Sequence, residues 1–250
     1  TKKGTDTLAI DIDTRLGVNT VVNTLDTFSA NEYRNLISEQ RPELLPLLGN
    51  ADTDWQDEVY RSAIVSDLNF SARGSLFGAI PARLSVGRSI QEGLRLTSEF
   101  ERNNAGLTLN PSLFDNHLSV SVNANASYEK NRFAQGIEGR AITFDPTQPV
   151  LDTNSPFGGY FQYFQDNGDG VLDASDLTPN APLNPVADLL QTNDRSDVRR
   201  FYGKLKLDYK LHFFPELTAV VNVGYDEQFA EGSKSISRNN PVAQSDGSLI

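Results

Sequence analysis

The chain has no cysteine, no methionine and only one tryptophan in 250 residues. Without cysteine there are no disulfides and no thiol chemistry, which suits an envelope protein kept clear of oxidation. Basic residues are scarce: 22 Lys and Arg stand against 33 Asp and Glu, a formal net charge of -11. That balance argues against a nucleic-acid partner, since phosphate binding needs clustered cations. No run of eighteen apolar residues occurs, so no transmembrane helix is expected. A membrane β-barrel is untouched by that exclusion, because each of its strands is only half apolar. There is no signal-peptide pattern and no initiator methionine, and the start at Thr1 leads us to expect a piece of a longer protein.

What is present is alternation. Leu118-Ser119-Val120-Ser121-Val122-Asn123-Ala124-Asn125-Ala126-Ser127-Tyr128 alternates apolar with small polar residues throughout. On a strand, one face of this run is apolar and the other carries only Ser and Asn. Strands of soluble sheets usually run about five or six residues, whereas a tilted membrane strand needs about nine to eleven. Leu8, Ile10, Ile12, Leu16 and Val18 alternate with charged residues in the same way. So do Leu68, Phe70, Ala72 and Leu76, then Ala82, Leu84, Val86 and Ile90, then Leu107, Leu109 and Leu113. Two more runs follow, Leu205, Leu207, Tyr209, Leu211 and Phe213, and Leu217, Ala219, Val221, Val223 and Tyr225. The expected fold is therefore all-β: an antiparallel transmembrane barrel of which about seven strands are present. Seven strands cannot close around a wide, wet lumen, so a larger barrel is implied.

The connections sort by side. Tight turns at 77–81, 114–116 and 214–215 share one edge of the sheet, and long segments at 19–63, 91–104 and 129–199 share the other. Short periplasmic turns and long extracellular loops produce this asymmetry in outer-membrane barrels. The long segments carry helix signals: Ser29-Ala30-Asn31-Glu32 and Thr53-Asp54-Trp55-Gln56 both match a capping box. Lys204, Lys206 and Lys210 lie opposite the apolar residues of their strand. Each would cost roughly 2–4 kcal/mol at the bilayer midplane, which sends them to the lumen.

Several of these stretches, taken in order, resemble the SusC/RagA family of TonB-dependent outer-membrane receptors. Thr1-Lys2-Lys3-Gly4 is similar to the end of that family's plug domain, and Phe28-Ser29-Ala30-Asn31-Glu32-Tyr33 resembles its first-loop helix. Thr53-Asp54-Trp55-Gln56-Asp57-Glu58-Val59-Tyr60-Arg61 is similar to its most recognisable barrel motif. Phe144-Asp145-Pro146-Thr147-Gln148-Pro149-Val150, Asn184-Pro185-Val186, Leu207-Asp208-Tyr209-Lys210-Leu211 and Phe214-Pro215-Glu216-Leu217 also match its pattern. The resemblance implies that residues 1–6 end a plug and 7–250 form the N-terminal part of a barrel. It implies import of oligosaccharides or peptides across the outer membrane, with a SusD-like surface lipoprotein as lid and TonB as energy source. The family's energy-coupling residues fall on no position of this chain.

Two local patterns suggest sites. Gln165-Asp166-Asn167-Gly168-Asp169-Gly170-Val171-Leu172-Asp173-Ala174-Ser175-Asp176 reads as an EF-hand-like calcium loop. Its oxygen donors would be Asn167, Asp169, the Val171 carbonyl, Asp173 and Asp176. Neutral Gln165 at the first position and Asp rather than Glu at the last predict weak affinity, and an acidic loop folded through Asx turns is the alternative. Tyr160, Phe161, Tyr163 and Phe164 form an aromatic cluster that could contact substrate or lid, or pack as the loop's own core. Trp55 is expected to pack a helix onto the barrel rim. His117 and His212 lie at or beside turns, and no nucleophile or zinc arrangement accompanies them, so no enzyme and no required cofactor is expected. A surface or secreted β-rich binding module with a calcium loop, and a secreted all-β glycan hydrolase, are the competing readings.

Overall fold

A computed structural model describes residues 8–171 and 173–245. The plug-end reading, residues 1–6, and Leu172 of the acidic loop lie outside the described residues. One antiparallel sheet dominates: β1 (Ala9–Asn19), β2 (Ala63–Leu76), β3 (Ile80–Glu92), β4 (Glu99–Leu109), the two-residue β5 (Ser112–Leu113), β6 (Leu118–Phe133), β7 (Thr192–Lys210) and β8 (Thr218–Ile236). Seven strands form a meander in chain order, β1-β2-β3-β4-β6-β7-β8, with β5 paired only to β6. Among the described residues four short α-helices occupy the connections, α1 (Ala30–Gln40), α2 (Trp55–Val59), α3 (Glu138–Thr143) and α4 (Pro185–Gln191), and α5 (Pro241–Ser245) follows β8. Among the described residues no helix is long and apolar enough to cross a membrane.

Register fixes the two faces. Phe70, Val86, Ala105, Ala126 and Phe201 stand side by side across five strands. One row along, Ala72, Leu84, Leu107, Ala124, Gly203 and Tyr225 do the same. The opposite face carries Asn69, Ser85, Asn104, Asn125 and Ser127, and toward the other edge Ser119, Ser121, Lys204, Lys206 and Asp208. A water-soluble sheet buries its apolar face under a second layer. Here no described residue covers it: Ile12, Leu16, Leu68, Leu84, Val221 and Val223 are all exposed. The buried hydrophobic cluster lies instead in the long connections.

The apolar face ends sharply. On β6 it runs from Leu118 to Ala126, Tyr128 follows, and Lys130 and Arg132 continue the same row of positions. Ten residues at about 3.4 Å each, tilted by about 40°, span roughly 25 Å, the height of a lipid-facing band. Aromatic residues mark its other edge, at the tight turns: Phe77, Phe114, Phe213 and Phe214 are exposed there.

Strand ends differ from expectation at both edges: at the tight turns Leu113 falls in β5 and Leu211, Phe213 and Leu217 fall outside the strands, whereas at the other edge the strands run on. β6 continues to Phe133 and β7 begins at Thr192, so the long connection is 134–191 rather than 129–199. Likewise β4 starts at Glu99, which shortens the 91–104 link to 93–98, and the first connection is 20–62 rather than 19–63. The added stretches hold Glu99, Glu101, Lys130, Arg132, Arg195, Asp197 and Arg199. Beyond the bilayer, strand pairing persists without apolar alternation, so no period-2 signal marks it. The sorting of connections by length is kept only in part: 20–62 and 134–191 share one edge, but 93–98 on that same edge is no longer than 110–117 and 211–217 on the other.

Candidate functional site in the long connections

The connections 20–62 and 134–191 fold together above the charged strand ends. α1 begins where Ser29 Oγ accepts from the Glu32 amide at 3.3 Å while the Ser29 amide donates to Glu32 Oε2 at 2.9 Å, a complete capping box. The cap hydrogen bonds with Ser29 hold the Glu32 carboxyl below the usual range. α2 starts one residue later than the motif suggested: Asp54, not Thr53, is the cap, accepting from the Gln56 and Asp57 amides. Thr53 is recruited elsewhere, its hydroxyl donating to the Gln148 carbonyl at 2.7 Å. α4 is capped by Asn184, whose Oδ1 accepts from Val186 and Ala187 at 3.0 and 3.1 Å.

A core forms between these helices from Trp55, Val59, Ile137, Ala141, Phe144, Val186 and Leu189. The Trp55 ring lies 4.4 Å from that of Phe144, and its Nε1 donates to the Asp145 carbonyl at 2.9 Å. Arg140 and buried Asp188 form an ion pair at 2.7 Å across the same unit. The segment 144–150 is the joint between the loops. The Ala51 and Thr53 amides donate to Thr147 and Pro146 carbonyls, both at 2.9 Å, and Gln148 Nε2 donates to Leu47 O at 3.0 Å. Close approach at this joint requires glycine: a Cβ on Gly49 would sit 2.2 Å from the Thr147 carbonyl oxygen.

The four aromatic residues of the expected contact cluster are half-buried here. Phe161 and Tyr163 pack edge-on to each other at 5.1 Å and both pack on Phe144. Phe164 meets Phe157 at 6.0 Å, and Tyr160 packs against the core. The Tyr163 hydroxyl donates to Asp145 Oδ2 at 3.4 Å. Burial, then the Asp145 charge, pushes the Tyr163 phenol above its ordinary range, and the same two causes raise Tyr33. Asp145 therefore anchors the loop through its backbone carbonyl and its carboxylate together. The sequence marks it only as a member of the family-like stretch Phe144–Val150, which carries no sign of these two bonds. Beside this core a cleft of about 440 Å³ opens, lined by Phe28, Tyr33, Asp52, Asp54, Phe144 and Pro146 among others.

The acidic loop is braced by its own backbone. Asp176 Oδ1 and Oδ2 accept from the Asn167 and Asp173 amides at 2.8 and 2.9 Å. Asp169 Oδ1 accepts from the Val171 amide at 2.8 Å, and Asn167 Oδ1 from Asp169 at 2.9 Å. Asp173 caps Ser175, and those hydrogen bonds lower its carboxyl below the usual range. Among the described residues no three Asp, Glu, His or Cys side chains converge closely enough to hold a metal ion. At the opposite edge of the sheet, His117 and His212 come together, their rings stacked at 3.9 Å, with Tyr209 hydrogen-bonded to His212 at 2.7 Å.

Between the two ends the polar face offers a charged wall. Arg200 and Asp226 pair at 2.5 Å, Lys206 and Asp208 at 2.7 Å, and Arg102 and Glu129 at 3.6 Å. These ion pairs make that face charged and hydrated, opposite the apolar band.

Over 221 residues, 84% of its length, the chain is 36% identical to the TonB-dependent receptor SusC of Bacteroides thetaiotaomicron. It is 31% identical over 106 residues to the TonB-dependent receptor P3 of Formosa agariphila. The chain spans about a fifth of the first relative's length (21%) and 10% of the second's. In fold it is similar to the RagAB peptide transporter, with a TM-score of 0.69 at 16% identity over 96% of this chain and 30% of that one. The open-open state of the RagAB peptide importer gives 0.67 at 15% identity, over 94% of this chain and 29% of that one. No family model matches.

Proposed function

We propose, because this chain belongs to the SusC/RagA family of TonB-dependent receptors, that it forms part of the wall and outer mouth of a barrel importing oligosaccharides or peptides across a bacterial outer membrane. One observation carries the reading: an uncovered apolar band about one bilayer tall, backed by a continuous polar face, with the buried core in the loops at one end. A surface module or hydrolase of all-β fold would need that apolar face covered. The relatives are named as receptors and transporters, which agrees with transport rather than catalysis.

In this reading the solute is captured at the loop end, where the cleft beside Tyr33 and Trp55 supplies both carboxylates and aromatic faces. A SusD-like lipoprotein would close over the unit built on Trp55 and Phe144, with the exposed edges of Tyr160, Phe161, Tyr163 and Phe164 at the contact. Rings with part of their surface fixed in a core make rigid anchors for a partner, at little entropic cost. TonB would supply the energy through a plug inside the barrel. The import reading requires no cofactor; a calcium ion at Asn167, Asp169, Val171, Asp173 and Asp176 would only stiffen one loop.

The test is uptake. Cells carrying the intact receptor should accumulate labelled oligosaccharide or peptide in a TonB-dependent way, and affinity purification in detergent should bring down a surface lipoprotein. Equal uptake with and without the receptor, for both solute classes, would refute the proposal.

A further inference from the structure

We propose that the outward face of this wall binds one phosphate-bearing, multi-chain lipid of the outer leaflet, an assignment that rests on the barrel reading above. The apolar band is not uniform. Where Ala105 and Ala126 stand side by side between Val86 and Phe201, two methyl-sized side chains leave a trough of about 510 Å³. Leu68 and Phe70 form one shoulder and Phe201 the other. Acyl chains can lie in the trough and against its shoulders.

The trough runs upward into charge. One row along the strands, Arg88, Tyr128 and Arg199 line its rim. Tyr128 also borders a second recess of about 270 Å³, lined by Glu99, Glu101, Lys130, Arg132, Arg195 and Asp197. The two recesses share that one ring, so a molecule occupying both is apolar below and ionic above. Five cations line them against three carboxylates, in a chain whose net charge is -11.

Internal partners account for only part of this cluster. Arg88 pairs with Glu101 at 3.2 Å, and the Tyr128 hydroxyl donates to Asp197 at 3.0 Å. Lys130 and Arg199 lie over the Tyr128 ring at 5.3 and 5.6 Å. Arg132 is different. It stands between Glu99, opposite it in the β4–β6 ladder, and Arg195, opposite it in the β6–β7 ladder, and the second is a like-charge cross-strand pair that destabilises a sheet. Its buried Nε has no hydrogen-bond partner. A phosphate between the two guanidiniums would screen their repulsion and accept the fork-shaped hydrogen bonds that arginine offers. Continuity with the trough selects a phosphorylated lipid over a free anion.

The experiment uses the intact protein, released from its native outer membrane into mild detergent, with bound lipid counted by native mass spectrometry. Phosphorylated lipid should survive detergent exchange at about one molecule per barrel, and the double variant Arg132→Gln/Arg195→Gln should retain about tenfold less. Ala126→Leu fills the trough without touching a charge, and it should cause a comparable loss. Equal retention in both variants, or retention of lipid with no net negative charge, would overturn the site. So would displacement by inorganic phosphate that is insensitive to Ala126→Leu. A receptor found in the membrane fraction with no retained lipid overturns this site alone, whereas a receptor absent from that fraction overturns the barrel reading with it.

Discussion

The assignment of faces can be tested by moving one charge across the wall. Val122 lies mid-band on β6, with Leu109 and Leu205 as its ladder neighbours and Val120 and Ala124 two positions either way. Lys at this site would have apolar neighbours on every side and no rim within easy reach, at a cost of roughly 2–4 kcal/mol. At about 1.4 kcal/mol per decade, the folded-to-unfolded ratio should fall roughly 30- to 700-fold. Asn125 is three residues away on the other face, opposite Gly106 and Tyr202. Asn125→Lys joins a surface that already carries Lys204 and Lys206, and should cost no more than about 0.5 kcal/mol. Urea titration of the intact receptor folded into lipid vesicles reads both values, with heat-modifiable gel mobility as a check on the folded fraction. If Val122→Lys is neutral, or Asn125→Lys is as costly, the faces are assigned wrongly and the membrane argument fails.

Other perturbations address the loop unit. Trp55→Ala removes the ring under Phe144 and the bond to Asp145, and should cost about 3–5 kcal/mol within that unit. Trp55→Phe should cost less, of order 1 kcal/mol beyond repacking; limited proteolysis within 134–191 should rank Ala above Phe above wild type. Tyr163 ionises near pH 10 when unfolded but at higher pH in the folded loop. Its contribution to stability is therefore complete below pH 10 and is lost as pH rises above that value. Tyrosinate absorbance compared with Tyr163→Phe should show one phenol missing from the normal titration, and its appearance at pH 10 would refute the packing. Calcium added to chelator-treated receptor should bind no tighter than about 10⁻⁴ M, the weak end of such loops, because its donors are engaged by backbone amides. Micromolar affinity by calorimetry, abolished in Asp173→Asn, would overturn that expectation.

The barrel wall was legible because lipid and lumen impose a period of two on every strand that separates them. Leu118 to Tyr128 shows it without interruption, and the ladder places each of those residues on the face that its parity predicts. The pattern fades where the cause is removed. From Lys130 to Phe133 and from Thr192 to Arg199 both faces meet water, so pairing continues while alternation ceases. The loop core was harder to see for a different reason. Trp55 bonds to Asp145, 90 residues along the chain, and neither neighbourhood carries a periodic signal. Individual caps were readable at Ser29 and shifted by one at Asp54, where Asp and Thr are both competent and tertiary bonding to Gln148 claims the Thr.

The overhang of the strands has a geometric consequence. β7 and β8 each run for 19 residues, about 60 Å of strand, or close to 45 Å of height at a tilt of about 40°. The bilayer accounts for little more than half of it. At β7 and β8 the remaining 20 Å or so stands clear of the lipid as a hydrogen-bonded ribbon, stiffer than a loop of the same length, while β3, β4 and β6 end two to three residues sooner in register. The long connection that enters β7 is thus carried on a rigid paired ribbon, and its sequence can diversify while the height at which it stands is kept.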